Sequence, residues 1–165
     1  MAVMRENGSE RPRVMVDMSA TLIHHGHIRL LRKASEIGDV VVALTSDEEV
    51  KKTKGYVPEL NFEERKEILL GIRYVKEVVS CPWLITEDFM DAHDCRYLVH
   101  GADNSNPVAK ERLIVFPRTE GVSSSMMRQR VLNALIEMNL SKEHTSGDIV
   151  LQRLLESIKK EFRLE

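Results

Sequence analysis

Two histidines three residues apart, His24 and His27, stand in the run Ile23-His24-His25-Gly26-His27-Ile28, with a glycine between them. At the start of a helix that spacing turns both imidazoles to one side, and Gly26 is expected to let a ligand approach the backbone closely. Paired imidazoles facing a phosphorus donate hydrogen bonds to the oxygens on which charge builds during in-line displacement. A second cluster is Arg118-Thr119-Glu120-Gly121-Val122-Ser123-Ser124-Ser125. It joins a permanently charged planar donor to hydroxyls that can open a helix, and a helix start offers free N–H groups and a positive dipole end to an anion. Phosphate suits both clusters. Taken singly, the first also reads as ordinary capping or surface histidines and the second as a plain N-cap with a solvated arginine.

The elements that must position these clusters follow from the alternation of β-branched runs with helical stretches, which predicts a parallel sheet wrapped by helices. Five strands are expected, at 13–17, 39–44, 75–80, 97–100 and 113–116, each nearly continuous in apolar character as buried parallel strands are. One helix is expected from His25 to Gly38, and a second from Asn61, where Asn-Phe-Glu-Glu forms a capping box with Glu64, to about Tyr74. A short helix follows Thr86, and another opens at Ser123–Ser125. In a doubly wound fold the ends of the strands face the ligand crevice, so both clusters fall on that edge. The fold class is α/β, a Rossmann-like doubly wound parallel sheet of about five strands with a C-terminal helical extension. The expected division is a solvated N-terminal tail at 1–12, one domain at 13–140 and the extension at 141–165, where Asp148–Phe162 places Leu151, Leu154, Leu155, Ile158 and Phe162 on one face.

Composition narrows the function classes. At 165 residues, 42% hydrophobic and 30% charged, the chain is globular, and its longest apolar runs fall far short of the ~20 residues a spanning helix needs. With 24 basic and 26 acidic residues the net charge is −2, which gives no long-range attraction for nucleic acid or an anionic membrane. An anionic ligand must therefore be held locally. Cys81 and Cys95 lack partners at metal-ligand spacing and are expected to be reduced and structural. A cytoplasmic location is the default expectation.

Taken together, the segments resemble the cytidylyltransferases of the HxGH nucleotidyltransferase superfamily, which act on glycerol 3-phosphate, phosphocholine or phosphoethanolamine. The resemblance runs in order through Val16-Asp17-Met18, His24-His25-Gly26-His27, Gly38-Asp39, Ser46-Asp47-Glu48-Glu49, Glu63-Glu64-Arg65, Ile72-Arg73-Tyr74-Val75, His100-Gly101-Ala102-Asp103 and Arg118-Thr119-Glu120-Gly121-Val122-Ser123. It covers roughly residues 13–135, and the RTEG(I/V)S stretch is its more specific element.

The resemblance implies transfer of CMP from CTP to a small phosphorylated or phosphonate acceptor, with magnesium as cofactor and a homodimer as the expected assembly. It implies that His24 and His27 stabilise the transition state at the α-phosphate, and that Lys54, or failing that Lys51, neutralises charge between the two substrates from a Lys51-Lys52-Thr53-Lys54 loop. It further implies that Gly26, Arg73, Arg118, Thr119 and Ser123, Ser124 and Ser125 hold nucleotide and pyrophosphate, with Asp103 near the cytidine. Asp17 or Asp103 is the candidate metal ligand. The chain departs from the family where an aspartate usually stands three residues before the first histidine, since Thr21 occupies that position. Two other readings follow: an adenylyltransferase of the same superfamily acting on a phosphorylated vitamin such as FMN, and a catalytically weak nucleotide-binding module.

Overall fold

The computed structural model describes residues 11–140, together with Gln152, Glu156 and Ile158. The expected N-terminal tail, apart from Arg11 and Pro12, and the expected C-terminal extension, apart from those three residues, lie outside the described residues. Five strands, β1 (Arg13–Met18), β2 (Asp39–Thr45), β3 (Val75–Cys81), β4 (Cys95–Gly101) and β5 (Leu113–Phe116), form one sheet in the order β3-β2-β1-β4-β5. Every pairing is parallel. The chain moves outward from β1 through β2 to β3, then returns to the other side of β1 for β4. That reversal opens a crevice beyond the carboxyl ends of β1 and β4.

Apolar residues on both faces of the strands explain why helices cover both sides. One face packs Val14, Val16, Val40, Val42 and Val99 against Leu31 and Ala34 of α1 (His25–Ile37) and Leu69 of α3 (Phe62–Leu70). The other packs Met15, Val41, Ala43 and Leu98 against Ile85 and Met90, the latter on α4 (Glu87–Ala92). Cys81 and Cys95 are free and buried in this second layer, and burial pushes the Cys81 thiol up to about 12. Among the described residues no helix is long and apolar enough to cross a membrane.

Two local expectations need correction. The lysines at 51–54 do not form a loop, because they lie on α2 (Asp47–Lys54), capped by the Ser46 hydroxyl and ended by Gly55 at φ +80°. Helix α3 ends at Leu70 and not near Tyr74, because the chain turns at Gly71, whose N–H bonds the Glu67 carbonyl, to enter β3. The Asn61–Glu64 capping box is present as expected. The last helix, α5 (Ser124–Leu140), opens one residue after Ser123, whose hydroxyl accepts the Met126 N–H at 3.1 Å.

Candidate active site

His24 is the N-cap of α1, and it caps with its own ring: Nδ1 accepts the Gly26 N–H at 3.2 Å. Three residues after His24, His27 reaches back, and its Nδ1 accepts the His24 N–H at 3.2 Å. Capping and chemistry are therefore one arrangement. Each Nδ1 is occupied as an acceptor, so a neutral ring must carry its proton on Nε2, which makes both histidines donors at their outer nitrogen. Both rings are held neutral. Partial burial lowers the His24 pKa, helped by the nearby His25 and Arg118. Deeper burial, with His24 and Lys54 close by, pushes His27 down to about 3. The ring centroids are 4.0 Å apart.

Gly26 has a different role from the one expected. A Cβ at that position would stand 2.9 Å from the His24 ring, so the glycine makes room for the imidazole rather than for a ligand. The same Cβ would lie 3.4 Å from Val122, which places the start of α5 beside the start of α1. The Ser124 hydroxyl strengthens that junction by donating to the Leu22 carbonyl at 3.2 Å.

Cations gather at this edge. Lys54, the last residue of α2, donates to the Ser19 hydroxyl at 2.8 Å and lies 5.6 Å from the centre of the Trp83 ring. Burial lowers its pKa, and the charges of Arg128, Arg118 and Arg65 lower it further against the pull of Asp103. Arg118 is largely exposed and paired with Asp103 at 2.7 Å. The structure thus brings together His24, His27, Lys54, Arg118, Asp103 and the α5 start with Ser123 and Ser124, and Thr119 and Ser125 lie in the same stretch of chain. Lys51, one turn before Lys54, is solvent-exposed.

Arg73 is not part of this group. It lies two residues before β3, at the amino end of the sheet, in a shallow cleft with Arg11, Gly38 and Asp39, and it donates to the Tyr74 hydroxyl at 3.0 Å. The crevice lies at the opposite ends of the strands, so its assignment to the nucleotide is withdrawn.

Both carboxylates considered for magnesium already have partners. Asp103 is engaged by Arg118, and Asp17 Oδ2 accepts from Asn106 at 3.1 Å and lies 3.5 Å from His100 Nε2. Burial raises the Asp17 pKa against the stabilising influence of His100 and Asn106. Among the described residues no group of three or more His, Cys, Asp or Glu side chains could hold a metal ion.

Two arginines around the site were not among the candidate site residues read from the sequence. Fully buried Arg65 donates to the carbonyls of Ser19 and Thr45 and to Asp47 at 2.6 Å, tying the ends of β1 and β2 to the start of α2. Arg128, in the second turn of α5, donates to the Thr21 hydroxyl at 3.1 Å and to both oxygens of Glu59. Its spacing of four from Ser124, which puts both on one helix face, is the only clue the sequence holds.

Comparison with known proteins adds independent observations. A family described as cytidylyltransferase-like matches residues 19–130. An ethanolamine-phosphate cytidylyltransferase of Arabidopsis thaliana is 35% identical over 156 residues, covering 85% of this chain and 37% of that protein. A glycerol-3-phosphate cytidylyltransferase of Staphylococcus aureus is 36% identical over 127 residues, covering 72% of this chain and 94% of that protein. An FAD synthase of Pyrococcus abyssi is 45% identical over only 73 residues, 44% of this chain and 49% of that protein. The chain spans 37% to 41% of the length of the first two ethanolamine-phosphate enzymes it matches. A solved lipopolysaccharide core biosynthesis protein of Thermoplasma volcanium shares the fold, with a TM-score of 0.57 at 15% identity over 66% of this chain and 98% of that one.

Proposed function

The chain belongs to the cytidylyltransferase-like family, and from that premise we propose that it transfers CMP from CTP to a small phosphorylated acceptor, releasing pyrophosphate. The observation that carries this reading is the pair of outward Nε2–H donors on His24 and His27, set on the same edge as Lys54, Arg118 and the start of α5. An oxygen of the acceptor's phosphate or phosphonate attacks the α-phosphorus. That P–O bond forms as the bond from the α-phosphorus to the bridging oxygen breaks, and pyrophosphate leaves with the electron pair. The imidazoles donate to the α-phosphate oxygens, whose charge grows in the transition state. Arg118 and the α5 start receive the leaving pyrophosphate. Lys54 lowers the repulsion between the two anionic substrates. Positioning and charge neutralisation suffice, and a largely ionised acceptor needs no general base.

The acceptor class is part of the proposal. The matched relatives are named for ethanolamine phosphate and glycerol 3-phosphate. Magnesium enters the proposal only as the counter-ion of the triphosphate, with no residue of this chain assigned to it. A homodimer and a cytoplasmic location complete the proposal, and the dependence of solution mass on concentration tests the former.

The FAD synthase match favours keeping adenylyl transfer to a phosphorylated vitamin as the second reading. Pyrophosphate release is measured with CTP or ATP against ethanolamine phosphate, choline phosphate, glycerol 3-phosphate, a small phosphonate and FMN. Release with CTP and one of the first four acceptors supports the proposal. Release with ATP alone refutes the cytidylyl assignment, and CTP binding without any turnover supports the weak-module reading.

A further inference from the structure

We propose that Arg128 is a positioning residue that pins the 55–61 segment to α5 and to the β1–α1 turn, and thereby fixes where Lys54 points. The inference rests on the reading of Lys54 as the cation between the two substrates. Its basis is a set of contacts that meet on one guanidinium. Nε and Nη2 engage both oxygens of the Glu59 carboxylate, the latter at 2.6 Å. Nη2 also donates to the buried Thr21 hydroxyl at 3.1 Å, and the guanidinium carbon lies 4.5 Å from the centre of the Tyr56 ring. The Tyr56 hydroxyl is itself 3.4 Å from Thr21 Oγ1. One side chain on α5 therefore holds the segment that leaves α2 against the turn that presents the histidines.

Lys54 is the residue just before that segment. Gly55, at φ +80°, ends α2, and a Cβ there would meet nothing within 4 Å. Beyond the helix the segment is held by buried Pro58 and by Arg65 Nε, which donates to the Leu60 carbonyl at 3.2 Å, and between these and Gly55 the contacts of Tyr56 and Glu59 with Arg128 add the tie to α5. A two-point fork between guanidinium and carboxylate sets orientation as well as attraction, which a lysine at the same place does not reproduce.

Arg128 also acts on Lys54 through charge. Lys54 is faced by His27 of α1, Arg65 of α3, Asp103 after β4, Arg118 before α5 and Arg128 of α5. Burial is the larger cause of its lowered pKa, and Arg128 is the largest of the charges that add to it. Glu59 offsets part of the Arg128 charge. Burial alone would raise the Glu59 pKa, and the hydrogen bond from Arg128 reverses this to leave it lowered.

The two partners therefore predict opposite signatures. Arg128→Gln removes a repelling cation and raises the Lys54 pKa, whereas Glu59→Gln leaves that cation uncompensated and lowers it. Arg128→Lys keeps the charge and loses the fork.

The test follows the Lys54 ammonium by NMR titration of the ¹³C-lysine-labelled protein, alongside amide exchange of residues 55–61. Neither needs turnover, so a failed CTP assay refutes the functional reading without deciding this one. The expected result is shifts of opposite sign in Arg128→Gln and Glu59→Gln, each of roughly half a pH unit or more. Exchange at 55–61 should be at least about tenfold faster in both variants and in Arg128→Lys, since the openings then lack a contact of more than about 1.4 kcal/mol. Shifts of the same sign, no shift, or exchange at 55–61 that matches the wild type would overturn the proposal. In a chain active on CTP, Arg128→Lys should lower kcat more than it changes the KM for CTP, and an unchanged kcat also overturns it.

Discussion

The Nδ1 atom of His27 accepts the backbone N–H of His24 at 3.2 Å, so the second histidine fixes the backbone that carries the first. The contact closes the N-terminus of α1 and sets the proton of His27 on its outward nitrogen. In the proposed reaction the two side chains that cap the helix are also the donors to the phosphate, each as a neutral imidazole.

Stability should fall on acidification. His27 has an ordinary pKa near 6.5 in the unfolded chain and about 3 in the folded one, so the unfolded state binds the proton first. The stabilisation is complete above about pH 6.5 and is lost as the pH falls towards 3. The loss from this residue is about 2 kcal/mol by pH 5. Guanidinium denaturation at pH 7 and pH 5 measures it, and His27→Asn should remove most of the difference.

Gly26→Ala should displace the His24 ring without unfolding the chain, because the new Cβ meets that side chain at 2.9 Å and no backbone atom comes as near. Turnover should drop by roughly a hundredfold or more if one donor to the transition state is misplaced. A thermal melt within a few degrees of wild type, measured with the pyrophosphate assay, separates this outcome from a folding defect.

Arg118→Ala should weaken CTP binding by about tenfold or more, as loss of a charge-assisted contact does. Arg73→Ala should leave the affinity unchanged, because Arg73 sits at the opposite end of the sheet. Calorimetric titration of CTP into both variants makes the comparison.

Thr21→Asp addresses the chain's departure from its family. The Thr21 hydroxyl is buried between Arg128 and the Tyr56 hydroxyl. A carboxylate there should compete with Glu59 for Arg128, loosen the 55–61 segment and reduce turnover of an active wild type. A rise in turnover measured by pyrophosphate release would instead favour the weak-module reading.

The sheet was legible because buried parallel strands are written locally, as runs such as Val40-Val41-Val42-Ala43-Leu44. The same is true of the paired histidines, whose spacing, and the helix start they cap, lie within four residues. Helix α2 escaped because Asp47–Lys54 buries only Val50, which leaves no apolar stripe to read. Arg73 was assigned through the family resemblance, although a residue that precedes a parallel strand lies at the amino end of the sheet, away from the crevice. The Glu59–Arg128 pair joins residues 69 apart, a separation that only the folded topology brings within reach.

The central claim is that the histidine pair and the Arg118–serine corner hold one triphosphate between them. A crystal structure of the chain with bound CTP tests it most directly. The α-phosphate should lie within hydrogen-bond distance of Nε2 of both His24 and His27, with the β- and γ-phosphates against Arg118 and the first N–H groups of α5. A triphosphate seated on only one of the two clusters, or away from both, would contradict the account.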